Sequence, residues 1–195
     1  QPSLEWQPHY TTKSETLWSQ ARQAVFRRSI WALELGIKPL RMIKANVPDS
    51  NGNLVSRDVW YLVYYVKNNG RHLNPKPQQD AQGHVTFTTE NVNHTVRFFP
   101  TFVLQCHDVG QAYLDQVLPG AIPQIRQRED PRRPLRDSVK MSDASIPVST
   151  EFEDRSVWGV ATWVGVDPRT DFFSVYIQGL TNAYRWQDVE GAFQP

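Results

Sequence analysis

The sequence predicts a mostly β protein, an antiparallel β-sandwich carrying an N-terminal helix and a short kinked helical insertion. Three stretches carry that expectation. Residues 156–186 read as a long hairpin: Val157-Trp158-Gly159-Val160-Ala161-Thr162-Trp163-Val164-Gly165-Val166 on one side, a second arm from Phe172 to Trp186 on the other, and Asp167-Pro168-Arg169-Thr170-Asp171 between them. Proline pre-sets φ for a turn, and an Asp ahead of it can cap the backbone two residues on. Around Trp60-Tyr61-Leu62-Val63-Tyr64-Tyr65-Val66, both parities are apolar or aromatic, as a central or doubly covered strand requires. From Ile30 onward, Trp31, Leu33, Leu35, Ile37, Ile43, Ala45 and Val47 share one parity, the period of a strand with one buried face.

The elements follow in order. Residues 1–11, with Pro2, Pro8, Trp6 and Tyr10, read as an extended arm. Thr12-Lys13-Ser14-Glu15 has the capping-box pattern, and Leu17, Ala21 and Ala24 or Val25 follow at helical spacing, so a short helix is expected over 13–27. Pro39 cannot donate to a ladder and splits the strand region after Ile30, with Arg41 the exception to the apolar parity. Residues 48–53 form a turn cluster, and residues 72–83, rich in Pro and Gln, read as a polar loop. Val85 and Phe87 mark a short strand, and residues 96–106 another, with Phe102, Leu104 and Cys106 on one face.

Asp108 to Gln111 offers a second capping box. Leu114, Val117, Leu118, Ala121, Ile122 and Ile125 follow as an amphipathic stripe interrupted by Pro119 and Pro123, the pattern of two helical pieces with a kink. Residues 127–146 read as a charged, structureless excursion, and long structureless loops inside a domain are often contact elements. The expected organisation is an arm and helix at 1–29, a sandwich domain at 30–186 with the insertion at about 108–146, and a tail at 187–195.

The motif Trp60-x-Leu62-x-Tyr64-x-Val66-x-Asn68-x-Gly70 resembles the mid-domain strand and turn of bacterial extracellular immunoglobulin-like modules. That resemblance implies an immunoglobulin-like sandwich in which the Trp is core and the Asn and Gly shape the turn. The whole chain is similar to secreted bacterial proteins, a likeness that implies a secreted, periplasmic or cell-surface location but no activity.

Composition narrows the function classes. Net charge is +1, so no overall field favours nucleic acid or an anionic membrane, and no apolar run reaches the roughly 18 residues of a membrane span. Charge is uneven, acidic from Ile146 onward and basic before it. The single Cys106 excludes an internal disulfide framework. The chain opens on Gln1 with no leader pattern, as a processed or trimmed chain does.

Cys106-His107, with His72, His84 and His94 elsewhere, lacks metal-ligand spacing and a third catalytic partner. Adjacent residues on a strand also face opposite ways, so Cys106 reads as a small core residue beside a surface His. Glu151, Glu153 and Asp154 lack the spacing of a calcium loop and read as a solvated turn. No phosphate loop, nucleophile elbow or zincin motif occurs, so no catalytic residue, metal or cofactor is expected.

Two sets of residues are candidates for binding. Arg126, Arg128, Arg132, Arg133 and Arg136, interleaved with acidic residues and lacking aromatics, suit a solvated loop or a protein contact better than nucleic acid, and Trp6 and Tyr10 of the arm join them as candidate contacts. Tyr176, Tyr184 and Trp186 share a parity with polar residues and are the candidate carbohydrate-stacking face, unless a second layer covers it. The expectation is a non-catalytic module of the bacterial cell envelope or surface. It would act through a protein partner or copies of itself, and the alternative is a carbohydrate-binding module.

Overall fold

A computed structural model describes residues 28–183. The expected arm, the N-terminal helix, Tyr184, Trp186 and the tail lie outside the described residues. The described chain is mostly β, with antiparallel sheets, as the sequence predicts. Its strands are β1 (Glu34–Ile37), β2 (Arg41–Pro48), β3 (Leu54–Lys67), β4 (His72–Gln79), β5 (Val85–Val92), β6 (Val96–Arg97), β7 (Thr101–Cys106), β8 (Gln111–Leu114), β9 (Ser145–Ile146), β10 (Val157–Val164) and β11 (Phe173–Gln178). Two short helices, α1 (Ile122–Glu129) and α2 (Ser138–Asp143), interrupt them.

β3 is the axis. β10 runs antiparallel along one edge, and β1 and β2 share the other. A second sheet has the order β11-β7-β8. Leu62, Tyr64 and Val66 of β3 meet Phe102, Leu104 and Cys106 of β7 in one fully buried cluster. Tyr64 lies 4.7 Å from the Phe102 ring and edge-on to Phe98 at 6.2 Å. On the opposite face, Val59, Tyr61 and Val63 join Ala45, Val47 and Val160 beneath Ala121, the N-cap of α1, and Ile125 within it. The double apolar parity of β3 therefore has two covers, a sheet on one side and a helix on the other.

Pro39 does more than split a strand. Ile37 pairs with Tyr64 while Arg41 pairs with Tyr61, so one side has taken four steps and the other three. One extra residue is a β-bulge, and a one-residue shift exchanges the faces. Leu35 and Ile37 accordingly pack toward the second sheet, and Ile43, Ala45 and Val47 pack toward α1, although all share one parity.

The turn after β3 uses the residues of the recognised motif. Asn68 Oδ1 accepts from Gly70 N–H at 2.9 Å, and Gly70 sits at φ 69°, where a Cβ would also meet the Asn93 side chain at 2.4 Å. Trp60 is half-buried, edge-on to Phe173 at 5.8 Å.

Four local expectations are corrected. Residues 156–186 are not a hairpin, because β10 pairs with β3 and β11 pairs with β7. The turn itself forms: Thr170 N–H donates to Asp167 O at 3.0 Å, and Arg169 N–H to Asp167 Oδ1 at 2.9 Å. It connects two sheets instead of two neighbouring strands. The first half of the kinked insertion contains a four-residue strand, β8, instead of a helix, and Asp108 accepts from the backbone of Asp171 and Phe172 instead of capping a helix. Residues 72–83 are largely strand β4, and residues 127–146 contain the end of α1, all of α2, and β9. Helix α2 is capped by Asp137, whose side chain accepts from Lys140 N–H at 2.8 Å, and it anchors through the buried Met141.

Candidate interaction surfaces

The richest ionic cluster lies where α1 ends against β3. Pro123 occupies the first turn of α1, where its missing N–H costs nothing, and the buried Ile125 fixes the helix on the sheet. That fit lays the Glu129 carboxylate on the strands, with its side chain only 3% exposed. Lys38 Nζ reaches it at 3.0 Å, Arg41 at 2.9 Å, and Tyr61 OH donates to it at 2.9 Å. The bulge at residues 38–40 puts both cations on this face, which accounts for Arg41 interrupting an apolar parity. Burial opposes ionisation of Glu129, but the bonds from Lys38 and Tyr61 and the nearby charges prevail and hold it below its ordinary value. Burial first, and the Glu129 bond second, push the Tyr61 hydroxyl up to about 12. Four groups that satisfy one another join a helix to a sheet, and this cluster is a structural pin.

The arginines suggested by the sequence lie around that pin, most of them engaged within the chain. Arg126 donates to Pro131 O at 2.9 Å, and Arg128 to Met42 O at 2.7 Å. Arg133 pairs with Asp130 at 3.0 Å and covers the Trp158 ring at 4.5 Å. Arg132, its side chain 90% exposed, stays close to Asp130 at 3.5 Å. The backbone of Arg136 bridges to β10, donating to Trp158 O and accepting from Val160 N–H. The arginines therefore share a region without forming one basic face.

Tyr176 of the proposed stacking row is 55% exposed on β11. An aromatic pair that the sequence did not single out lies on the helical face of the first sheet. Tyr65 and Trp158 are cross-strand partners with ring centroids 5.3 Å apart. Gly36 lies against Tyr65 so closely that a Cβ would stand 2.0 Å from the ring, which is why the position is a glycine. Parity could have paired the two rings had the β3–β10 register been known.

The weighed chemical groups are dispersed. Cys106 is buried in the core, and the exposed His107 bonds the Ser174 hydroxyl at 2.8 Å and lies over Phe172. His72 is fully buried: its Nδ1 accepts from His94 N–H at 3.2 Å, and its Nε2 faces Asn68 Oδ1 at 3.1 Å. Glu153 pairs with Arg155, and Asp154 caps Ser156. Among the described residues, no group of three or more His, Cys, Asp or Glu side chains could hold a metal ion.

The other surface is the β4–β5 ribbon. Apart from the bridge of Leu73 to Ile30 at the base, its strands pair with each other alone among the described residues, and residues 76–89 are exposed without interruption. Pro77 pairs with Phe87, and Gln79 with Val85, so Pro77, Phe87 and Val85 share one face; Phe87 is 44% and Val85 55% exposed. The base is firmly held. Ile30 exchanges two backbone bonds with Leu73, and Asn68 ties His72, His94 O and Ile146 O together. A β-ribbon exposed on both faces adds little to the core beneath it.

No family model, curated protein or solved structure matches the chain. No described helix is long and apolar enough to cross a membrane.

Proposed function

We propose that this protein is a non-catalytic, immunoglobulin-like β-sandwich module of the bacterial cell envelope or surface, and that it works by protein–protein contact through the β4–β5 ribbon. The observation that carries the reading is the unbroken exposure of residues 76–89 on a ribbon that, among the described residues, is anchored only at its base. A two-stranded ribbon is marginal alone in water, and one that keeps Phe87, Val85 and Pro77 in solvent is suited to meeting another surface. The facing antiparallel sheets and the Asn68–Gly70 turn support the immunoglobulin-like part of the reading.

The test replaces residues 77–87 with Asn-Gly, which closes a two-residue hairpin on the pair Lys76 and Thr88. The shortened chain should keep its melting temperature. It should lose association, read by light scattering on the purified chain and by quantitative cross-linking in the native host. Unchanged association, or turnover of any member of a panel of esters, peptides and glycosides by the full chain, would overturn the reading. The exposed Tyr176 supports a second reading, glycan stacking, which a glycan array decides: Tyr176→Ala must abolish whatever binding the full chain displays.

A further inference from the structure

The ribbon has two edges of opposite chemistry, and the geometry points to the β5 edge as a docking site for β5 of a second copy of this chain. This inference rests on the ribbon being a contact element and names its partner.

The register decides which backbone groups face outward. Asp80 N–H donates to His84 O across the ribbon's turn at 3.0 Å, so 80 and 84 form a hydrogen-bonded pair. Hydrogen-bonded pairs alternate along an antiparallel ladder, so 78 with 86, 76 with 88 and 74 with 90 follow. The odd residues then turn their N–H and C=O groups away from the ribbon. Leu73 confirms the phase, because it makes both of its backbone bonds outward, to Ile30.

On β4, the next two outward positions are Pro75 and Pro77, which have no N–H to offer. Beyond Ile30, that edge is closed to an added strand. On β5, the outward positions are Val85, Phe87, Thr89 and Asn91, all with an N–H, and among the described residues β5 pairs with β4 alone. The sequence Val85-Thr86-Phe87-Thr88-Thr89 is uncharged and rich in β-branched side chains, and nothing in it opposes pairing.

The same segment is complementary to itself. An antiparallel pairing with Phe87 on the two-fold axis sets Phe87 opposite Phe87, Val85 opposite Thr89 and Thr86 opposite Thr88. It also sets His84 opposite Glu90, each of which already has a partner in its own ribbon, His84 in Asp80 at 3.0 Å and Glu90 in Lys76 at 3.6 Å and Asn74 at 3.2 Å. The apolar row then runs without a break from Pro77 through both Phe87 rings to Pro77 of the other copy. Prolines on the outer strands end the four-stranded ribbon on both sides, so assembly stops at two copies.

Sedimentation and light scattering of the full chain test this. An interface this small belongs at the weak end, so the mass should rise from 22.5 kDa toward twice that value in the range of about 10 µM to 1 mM. Phe87→Pro and Thr89→Pro each remove an outward N–H that β4 does not use, and each should weaken the dimer at least tenfold while the melting temperature holds. Pro75→Val with Pro77→Val opens the second edge and should produce species larger than the dimer.

An independent measurement avoids proline altogether. Residues on the axis stand about 5.5 Å apart at Cα, within disulfide range, so Phe87→Cys should oxidise to a covalent dimer far faster than Val85→Cys, which faces Thr89 instead. A dimer indifferent to both prolines, or equal cross-linking at 85 and 87, overturns the β5 pairing but leaves the ribbon a contact element for other proteins. A chain that stays monomeric throughout overturns the second copy as partner, and the shortened-ribbon variant then decides the broader reading alone.

Discussion

The β3–β7 body and the β4–β5 ribbon are built from the same antiparallel ladders, yet they do opposite things with their side chains. In the body, Tyr64 and Phe102 are fully buried, and β3 is covered on both faces. In the ribbon, residues 76–89 are exposed on both faces. Backbone hydrogen bonds are close to neutral against water, so the ladder does not decide how much a strand contributes to stability; apolar area removed from solvent does. The comparison implies that stability is concentrated in the body and association in the ribbon, with the Asn68–His72 knot joining them.

The strongest break of that comparison is Phe102→Ala. The ring is fully buried between Tyr64 and Phe98, and its loss leaves a cavity and two stranded aromatic partners. Destabilisation of about 3–5 kcal/mol is expected from the urea midpoint, a large part of the stability of a domain this size.

The junction comes next. Asn68 donates to His94 O at 2.9 Å and Ile146 O at 3.0 Å, and its Oδ1 accepts from Gly70 N–H at 2.9 Å and faces His72 Nε2 at 3.1 Å. Asn68→Ala strands these groups in a buried site, at about 2–4 kcal/mol by the same assay. Acid should loosen the same knot. His72 Nδ1 accepts from His94 N–H, so Nε2 carries the proton, and a second proton would set N–H against N–H. Burial first, and the neighbouring His94 second, push the His72 pKa below its ordinary 6.5. A depressed histidine pKa means that the fold prefers the neutral ring. This contribution is complete above pH 6.5 and is lost as pH falls from there toward the folded-state value. His72→Gln should flatten that part of a melting-temperature profile.

Why some of this could be read from sequence and some could not is visible in particular residues. β3 was legible because its double apolar parity is a local pattern with one physical meaning, and Cys106 because successive residues of an extended chain face opposite ways, which turns it inward and His107 outward. The strand split at Pro39 was legible as well, but not the exchange of faces, which depends on pairing with β3. The turn at Asp167 formed as its residues dictate, yet turn chemistry says nothing about which strands the arms will join. The apolar stripe beginning at Leu114 fitted a helix in spacing. In the structure Leu114 is 60% and Val117 41% exposed, while Leu118, Ala121 and Ile125 pack on the first sheet. Pro75 and Pro77 suggested a loop because prolines are rare in strands, and an edge with outward-facing positions is where they are allowed. The site suffered most: Glu129 joins Lys38, Arg41 and Tyr61 across long sequence separations that no spacing rule spans.

That pin gives an intermediate effect. Glu129→Gln keeps an acceptor for Tyr61 but removes the charge facing Lys38 and Arg41. Those cations are 34% and 42% exposed and can turn to water, which limits the cost to about 1–2 kcal/mol at neutral pH. The Glu129 pKa is held below 4.5, so the wild-type chain loses this contribution as pH falls below 4.5. The variant should show no such loss, so the two melting curves should converge in acid.

The smallest effect is the sharpest test of the comparison, because it repeats the first substitution in the other region. Phe87 is chemically identical to Phe102 and also lies on a paired strand, but it is 44% exposed and faces Pro77 across the ribbon. Phe87→Ala removes little buried area and leaves no cavity, since water already reaches the ring. A cross-strand contact of this kind contributes about 0.2–1 kcal/mol, and the loss should fall within that range when measured dilute enough to keep copies apart. Association measured at high concentration should fall in the same variant. A loss near that of Phe102→Ala would mean the ribbon is folded into the body after all. A negligible loss of stability beside a clear loss of association would place the two functions of a β-strand, holding the fold and meeting a partner, in two separate parts of one chain.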